Sequence, residues 1–329
     1  MKTIHTSILI LLALILTGCK KETTTKPPSR DYMQDMKDFV NNLSAYAKNA
    51  DASFLVMSLN AHEMITVDGH PASLPDFTYL SSLDGLGRDK LIYGYHNVDQ
   101  ESPFDVQSDW AFFLSMARIN DYPIFITDYC TTTTKIDTAY ARNIRNDFIS
   151  FAASGYNLDA IPAYPIDPFD MNNKFISKLD SAKNFLFLTG GSSFASKANF
   201  IAAIQATNYD ILITDLFIGG WQLTPTDLEL LKQKENGGLR LVLACVSIGQ
   251  AESNRYYWNN DWLSDPPLWL KDEDAGNPGN YYVAFWETQW QAIIYGTANS
   301  FLKKIQDAGF DGVCLDQLEV YEYFIENGN

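Results

Sequence analysis

The sequence predicts a single α/β domain of the (β/α)₈ class, the TIM barrel. Three observations support this: short apolar runs alternate with amphipathic segments, about eight such runs occur, and the chain has 329 residues. The alternation indicates a parallel sheet covered by helices, because parallel strands require crossover connections. Eight repeats favour a closed barrel over an open sheet, and the sequence lacks the glycine-rich nucleotide loops typical of open sheets.

The first half of the chain contains four predicted strands and three predicted helices. Residues 35–49 form the first helix, because Met36, Phe39 and Leu43 recur at three-to-four spacing. The apolar run 54–59 that follows is the first strand. The remaining predictions of this half are strands at 77–83, 122–127 and 148–152, and helices at 110–119 and 135–145.

The second half repeats the pattern after a connector. Prolines recur without a clear period between Asp159 and Asp170, and we expect a connector at about 159–183. Pro225 directly after Thr224 is typical of a helix start. The predicted strands of this half are 184–188, 209–214, 239–246 and 311–315, and the predicted helices are 195–205, 226–234 and 290–308.

The first residues predict an exported lipoprotein. A basic start precedes the apolar run Ile8–Leu16, which has the length of a signal-peptide core rather than of a membrane span. Small residues and then Cys19 follow directly, the pattern of a bacterial lipoprotein; an ordinary signal peptide with a chance cysteine is the alternative. We therefore expect a lipoprotein signal peptide at 1–18, lipidation of Cys19, a flexible tether at 19–31 and the barrel domain at 32–329.

This organisation and the composition indicate the setting of the protein. A lipidated cysteine implies a lipid-anchored protein of the bacterial cell envelope, at the outer membrane or the cell surface. The formal net charge of −16 disfavours nucleic acid as a partner, because nothing compensates the phosphate repulsion. The charge suits a neutral or cationic substrate, although acidity that only keeps the protein soluble explains it equally well.

Three cysteines remain in the barrel domain. Cys130, Cys245 and Cys314 each lie in or just after a strand-like run, and their spacing fits neither a disulfide framework nor a zinc site. We expect buried free thiols, no metal site and no organic cofactor.

Polar residues follow nearly every predicted strand. In a parallel barrel the carboxyl ends of the strands form the functional face. The residues at or near these ends are Asn60, Asp84, Asp128, Asp215, Glu252 and Asp316. A single aspartate there is more simply a turn former or a helix cap, but ends that converge on one space favour a carboxylate-rich site.

Such a site has the groups that glycoside hydrolysis requires. One carboxylate attacks the anomeric carbon or directs a water, and a second, protonated carboxyl donates to the leaving oxygen. Aromatic residues suited to sugar faces, among them Trp258, follow the strand at 239–246, and loop packing explains them equally well. No serine–histidine–aspartate pattern is visible in the sequence.

Long segments of the chain resemble the glycoside hydrolase family 114-like group, the endo-α-1,4-polygalactosaminidase relatives. The second-half segments that are similar are TNYDILITDLF (Thr207–Phe217), SIGQAESNRYYW (Ser247–Trp258), NPGNYYVAFWETQWQAIIYG (Asn277–Gly296) and AGFDGVCLDQLEVYEYF (Ala308–Phe324). The first-half segments that are similar are 39–64, 83–95 and 122–130, which match segments that come later in that family. The resemblance covers nearly everything from Asp31 to Phe324. It implies a barrel in circularly permuted order, with the connector as the join.

The resemblance also implies roles for individual residues. Asp316 matches the family's nucleophile, and Asp89 is the best match to its acid/base, a glutamate in relatives. Gln250, Glu319 and Leu59 depart from close relatives, which have Glu, Asp and Gln at these positions. The candidates for substrate binding are Asp215, Glu252, Gln250, Asn60, Asp84, Asp128, Arg255, Glu319, Tyr321 and Trp258.

Two functions follow as expectations. The first is a glycoside hydrolase that cleaves an amino-sugar-containing polysaccharide or oligosaccharide, in the manner of an endo-polygalactosaminidase, by a retaining two-carboxylate mechanism. Its other partner is the membrane, reached through the lipid anchor. The second, motivated by the residues at Asp89, Gln250 and Leu59, is a catalytically weakened cell-surface barrel that binds glycans.

Overall fold

The computed structural model describes residues 30–328, so the predicted signal peptide, Cys19 and most of the predicted tether lie outside the described residues. Within this range no helix combines the length and the apolar character that a membrane span requires.

The described residues form an eight-stranded parallel sheet that is nearly closed into a barrel, with helices around it and short strands in two of its loops. The strands are β1 (Leu55–Leu59), β2 (Gly85–Asp89), β3 (Ile124–Tyr129), β4 (Ile149–Ala153), β5 (Phe185–Phe187), β6 (Ile211–Thr214), β7 (Phe217–Ile218), β8 (Trp221–Gln222), β9 (Leu241–Ser247), β10 (Gln250–Glu252), β11 (Leu270–Glu273), β12 (Asn280–Val283) and β13 (Gly312–Asp316).

The barrel strands follow the order β4-β3-β2-β1-β13-β9-β6-β5. The edge strands β4 and β5 contact each other but form no ladder of backbone hydrogen bonds. The barrel stays open at this seam. The loop after β9 adds the antiparallel sheet β10-β12-β11, and the loop after β6 adds the hairpin β7-β8. Both additions lie at the carboxyl end of the barrel. The predicted parallel α/β architecture is therefore confirmed.

Helices connect the strands and cover the outside of the sheet. They are α1 (Tyr32–Ala50), α2 (Phe77–Leu80), α3 (Phe104–Ile119), α4 (Thr133–Arg145), α5 (Lys197–Gln205), α6 (Pro225–Leu231), α7 (Thr288–Ile294), α8 (Phe301–Ala308) and α9 (Val320–Asn327). Thr224 and Asp227 form a reciprocal capping box at the start of α6, with Pro225 in its first turn, as the Thr-Pro pair predicts.

The predicted strand at 77–83 is wrong. Residues Phe77–Leu80 form the short helix α2, because the side chain of Asp76 accepts hydrogen bonds from the free backbone N–H groups of its first turn. The strand is instead Gly85–Asp89. Its glycines leave it without the apolar run that predicts a strand. A Cβ at Gly87 would approach the side-chain ends of Met57 to 2.7 Å and of Leu59 to 2.9 Å, so a larger residue there requires these side chains to move.

The predicted helix at 290–308 is two helices. The chain leaves the helical path after α7, and Gly296 has φ of +90°, a conformation that glycine adopts at little cost. Three further elements were not predicted at all: helix α9, the hairpin β7-β8 and the small sheet β10-β12-β11.

The predicted connector lies between β4 and β5. Residues 154–184 contain only the single-turn 3₁₀ helix Leu179–Ser181 as regular structure. The two ends of the described barrel lie close together, since the rings of Tyr32 at the start of α1 and Phe324 of α9 have centroids 5.6 Å apart.

One contact establishes which strand residues face the barrel interior. Side chains of a strand point alternately to the two faces of a sheet. The carboxylate of Asp128 in β3 accepts a 2.8 Å hydrogen bond from Asn143 of α4, which packs on the outside of the sheet. Asp128 therefore points outward, and its neighbours Thr127 and Tyr129 point inward.

The register carries this assignment around the sheet, because paired residues of parallel strands share a face. Thr127 pairs with Asp89, Gly87 pairs with Leu59, and Asp316 pairs with Ser247. The pairing of Ser58 with Leu315 places Leu59 level with Asp316. The inward-facing residues near the carboxyl end are thus Leu59, Gly87, Asp89, Thr127, Tyr129, Cys245, Ser247, Cys314 and Asp316.

Candidate active site

A cleft of about 300 Å³ opens at the carboxyl ends of β1, β2 and β13. We call it the carboxyl-end cleft. Its lining residues are Asn60, Ala61, His62, Glu63, Arg88, Asp89, Lys90, Trp110, Glu319 and Glu322. Three of the sequence-predicted site residues, Asn60, Asp89 and Glu319, are among them.

Asp89 is the last residue of β2 and points inward. Its carboxylate Oδ2 accepts a 3.2 Å hydrogen bond from the hydroxyl of Tyr129, and its backbone N–H donates to the side chain of Asn60 at 3.1 Å. Burial raises the pKa of Asp89, and the charges of Lys90 and Arg88 offset part of this effect. The other carboxylate oxygen, Oδ1, is buried without a hydrogen-bond partner.

Asp316 is the last residue of β13 and points into the same interior. Its Oδ1 accepts a 2.8 Å hydrogen bond from the backbone N–H of Gln317. Burial raises the pKa of Asp316 to about 8, and the charges of Glu319 and Asp89 add to the effect. Burial also raises the pKa of Glu319, whose Oε2 has no hydrogen-bond partner.

The residues that follow three adjacent strands share an unusual backbone conformation. Asn60 after β1, Lys90 after β2 and Gln317 after β13 have φ of 67°, 64° and 60°. This left-handed region costs a residue with a side chain about 1–2 kcal/mol. These three residues follow the strands that place Asp89 and Asp316 and the strand between them.

The outer wall of the cleft combines a buried cation with carboxylates. The guanidinium of Arg88 lies 3.2 Å from the ring centroid of Trp110, and its Nη1 lies 3.4 Å from His62 Nδ1. Burial, with a smaller contribution from Arg88, lowers the pKa of His62 to about 2, so this histidine is neutral. Burial raises the pKa of Glu63 to about 7.

Unpartnered polar atoms concentrate in this cleft. Among the described residues, eight buried side-chain nitrogen or oxygen atoms have no hydrogen-bond partner. Four of them belong to lining residues of the cleft. Three, Arg88 Nε, Asp89 Oδ1 and Glu319 Oε2, have no hydrogen-bond or ion-pair contact with the part of the chain that the structure describes, and the fourth, His62 Nε2, lies 3.1 Å from Glu63 Oε1. Because buried polar groups are nearly always paired in folded proteins, this concentration indicates a surface that a polar ligand completes.

A second group of site residues lies at the ends of β6 and β10. Arg255 donates to Asp215 at 2.6 Å through Nη1 and to Glu252 at 2.7 Å through Nε. Burial lowers the pKa of Arg255, but the charges of the two carboxylates outweigh it and raise the value. Glu252 also adds to the raised pKa of Asp316, so both groups belong to one electrostatic environment.

Three predicted binding residues have other partners. Gln250 is 1 % exposed and bonds Asp274 at 3.0 Å, which ties β10 to the loop after β11. The ring of Trp258 stacks on Tyr281 at 4.9 Å and is partly exposed, as a sugar-stacking residue requires. Tyr321 is buried, with its hydroxyl 3.4 Å from Glu322 of the cleft.

Two predicted site residues are wrong. Asp84 precedes β2 and therefore lies at the amino end of the barrel, where it accepts a hydrogen bond from the backbone of Val56 and pairs with Lys48. Asp128 is 0 % exposed and points out of the barrel, where it also accepts hydrogen bonds from two backbone N–H groups of the loop after β2. A shift of one residue along a strand moves a side chain to the other face.

Sequence reasoning missed Tyr129, Arg88, Glu63 and Trp110. Tyr129 had a usable signal, since it stands one residue after Asp128 and alternation places it on the opposite face. The others have no local signal, because the loop after β1 and the outward face of β2 meet helix α3 only in the folded chain.

Among residues 30–328, no group of three or more histidine, cysteine or acidic side chains is arranged to hold a metal ion. Cys130, Cys245 and Cys314 are free thiols, and Cys245 is partly exposed, contrary to the prediction that all three are buried.

Comparisons with known proteins give relatives but no family. No family model matches the chain. The chain is 34% identical to an uncharacterized protein of Methanocaldococcus jannaschii over 168 residues, 48% of this chain and 47% of that relative. It is also 34% identical to uncharacterized proteins of Thermotoga maritima, over 38% of this chain and 37% of the relative, and of Deinococcus radiodurans, over 36% of each. The chain thus spans less than half the length of the curated relatives it matches.

Proposed function

We propose that the protein is a glycoside hydrolase that uses Asp316 and Asp89. The observation that carries the proposal is the placement of these two carboxyls on inward-facing terminal positions of β13 and β2, with only β1 between them. Two strand spacings separate the backbones by about 10 Å. Side chains that point inward from both strands reduce the gap between the carboxyls toward the span that a glycosidic bond requires.

The roles follow from the chemistry of a retaining hydrolase. Asp316, when ionised, attacks the anomeric carbon and forms a glycosyl ester. Asp89, when protonated, donates its proton to the leaving glycosidic oxygen and then takes one from the water that cleaves the ester. The raised pKa of Asp89 keeps it protonated to a higher pH than an exposed aspartate, which suits the acid role.

The charge of the site favours a cationic sugar. Glu63, Glu319 and Glu322 surround the cleft, and burial raises the pKa of each. An ammonium group bound there would favour the ionised carboxylates and would lower the pKa of Asp316 into the working range. We therefore propose an amino-sugar polymer or oligomer as substrate.

We further propose that the barrel is a circular permutant of the family it resembles. The open seam between β4 and β5, the connector across it and the proximity of Tyr32 to Phe324 support the idea. A chain that begins in the connector and links Gly328 to Tyr32 is expected to fold with an unchanged circular dichroism spectrum; failure with several linkers contradicts the idea.

The cell-envelope location remains a proposal of its own. Cys19 is expected to hold the protein in the membrane fraction, and Cys19→Ser is expected to release it to the soluble fraction. Equal membrane retention of both forms, with no lipid mass on Cys19, argues against lipidation.

The test of the function is a screen on polysaccharides that includes partly deacetylated amino-sugar polymers. Wild type is expected to release reducing ends, Asp316→Asn to release about 10³-fold fewer per unit time, and Asp84→Asn to match wild type. Proton NMR of the first product shows whether the anomeric configuration is retained. Turnover that survives Asp316→Asn rejects the proposed nucleophile.

Glycan binding without turnover in either form points instead to a binding barrel. The observation that favours this alternative is that burial raises the pKa of Asp89 and Glu319 and raises that of Asp316, the proposed nucleophile, to about 8. Isothermal titration with the same polymers distinguishes the two functions.

A further inference from the structure

Two thiols lie side by side inside the barrel. Cys245 of β9 and Cys314 of β13 are register partners in adjacent parallel strands, and both point inward. Neighbouring strands are about 4.8 Å apart. This spacing lies within the range of about 4.4–6.8 Å between Cα atoms that disulfides span.

The two thiols differ in exposure. Cys314 is 0 % exposed, whereas Cys245 is partly exposed. Leu241 and Leu243, the inward-facing residues nearer the amino end of β9, are buried. Solvent therefore reaches Cys245 from the carboxyl end of the barrel, where the acidic residues of the candidate active site lie.

We propose that Cys245 and Cys314 form a modification site for small cationic disulfides. The sulfur of Cys245 attacks the small disulfide, forms a mixed disulfide with one half and releases the other half as a thiol. The sulfur of Cys314 then attacks Cys245, releases the second half as a thiol and closes a bridge within the chain. The two cysteine protons pass to the two released thiols, so one disulfide is reduced while the protein dithiol is oxidised.

The surrounding charges define the preferred reagent and the pH dependence. The charged groups that face Cys245 are Asp316, Asp215 and Glu252, and those that face Cys314 are Asp316 and Asp89. Arg255 offsets one of the two charges of Asp215 and Glu252, which leaves a net negative charge, and Asp316 adds a further negative charge as it ionises near pH 8. The site therefore attracts a cationic disulfide and repels an anionic one, most strongly above that pH. Burial, together with the same charges, raises the pKa of both thiols, so the reaction accelerates as pH rises.

The bridge would lie close to the candidate active site, on the amino-end side of its strand ends. Ser247 and Asp316 stand two residues beyond Cys245 and Cys314 on the same strands. A covalent link between the strands restrains the relative movement of these ends, whether or not the protein is a hydrolase. The proposal therefore stands apart from the proposed function.

The test uses the full chain with Cys19→Ser, incubated with cystamine or with glutathione disulfide at about pH 7 and about pH 9. Acid quenching, alkylation and peptide mass spectrometry follow. Cystamine is expected to give a Cys245–Cys314 bridge, about tenfold faster for each pH unit while the thiols remain mostly protonated. Glutathione disulfide, which is anionic, is expected to react more slowly.

Three variants distinguish the steps. Cys314→Ser is expected to stop at a stable mixed disulfide on Cys245, and Cys245→Ser is expected to block the reaction. Cys130→Ser, the matched control for a buried thiol with no thiol partner in register, is expected to react as the parent does. Circular dichroism verifies that each variant is folded, and Cys314→Ala replaces Cys314→Ser if it is not.

The proposal fails if the folded chain forms no bridge with either reagent at either pH while the urea-unfolded chain does. It also fails if Cys130 is modified before Cys245. A mixed disulfide on Cys245 that never closes in the parent chain overturns the role of Cys314.

Discussion

The two ends of the barrel both contain aspartates next to strands, but their partners differ. At the amino end Asp84, Asp210 and Asp311 stand directly before β2, β6 and β13. Each pairs with a lysine, at 3.0, 2.5 and 2.7 Å, and each accepts a hydrogen bond from a backbone N–H group. These acids join the amino ends of the barrel to the helices and the connector.

At the carboxyl end Asp89 and Asp316 have no lysine or arginine within ion-pair distance among the described ion pairs. They lie beside other acids, and burial raises the pKa of both. An acid that is completely paired contributes to the structure. An acid that is buried beside a cleft without a counter-ion is costly, and such a cost is typical of functional sites. The same residue type therefore serves two purposes at the two ends of one strand.

The largest expected effect separates the two ends of β2. Asp89→Asn is expected to lower turnover of the amino-sugar polymer by about 10²–10⁴-fold, because it removes the proton donor. Asp84→Asn, at the other end of the same strand, is expected to leave turnover unchanged and to lower the melting temperature slightly. Initial rates and thermal melts of both variants test the contrast, and equal rates for wild type and Asp89→Asn exclude this acid.

The next effect compares two amino-end pairs. Lys234 and Asp210 are both 0 % exposed, so Lys234→Met leaves a buried carboxylate without its cation and is expected to cost about 3–5 kcal/mol of unfolding free energy. Lys48→Met breaks the half-exposed pair with Asp84 and is expected to cost less than about 1 kcal/mol. Urea unfolding measures both losses, and equal losses would show that burial does not separate the pairs.

A third prediction concerns pH. The folded protein holds the proton of Asp316 to about pH 8, whereas the unfolded chain releases it near 3.8. The unfolded state thus binds fewer protons between these values, so stability falls as pH rises through this window. Asp316→Asn cannot ionise and is expected to lose less stability than wild type between about pH 5 and about pH 8, by on the order of 3 kcal/mol. Urea titrations measure the stability of both proteins at each pH. Equal losses of stability in wild type and Asp316→Asn contradict a raised pKa of Asp316.

The smallest expected effect concerns the hydroxyl of Tyr129. Tyr129→Phe removes its 3.2 Å hydrogen bond to Asp89 and is expected to cost about 1 kcal/mol of stability. Because that hydrogen bond favours the ionised carboxylate, its loss is expected to raise the pKa of Asp89 further and to move the alkaline limb of the rate profile upward. Tyr156→Phe, whose hydroxyl instead donates to the backbone of Gly94, is the control. An unmoved limb would show that Tyr129 does not act on Asp89.

The sequence predicted the fold better than the site. Seven of the eight barrel strands were placed to within a few residues, because their apolar runs bury on both faces. The eighth, β2, reads GLGRD and has too few apolar side chains to show a period. Its glycines lie against the side chains of Met57 and Leu179, which come together only in the folded barrel.

The errors at the site have the same origin. Asp84 was assigned to the wrong end of the barrel because β2 was misplaced. Asp128 was assigned to the wrong face because β3 is buried on both faces, so its sequence does not show which side chains point inward. Arg88, Trp110 and Glu63 come from three separate segments and meet only in the folded chain.

By itself the sequence determined the α/β alternation, the connector and the supply of acids near strand ends, since these depend on local composition and period. Only the tertiary structure decided which acids face the interior, which are paired with lysines and which are left beside a cleft. Register and strand order determine these properties, and both depend on contacts between residues far apart in the chain.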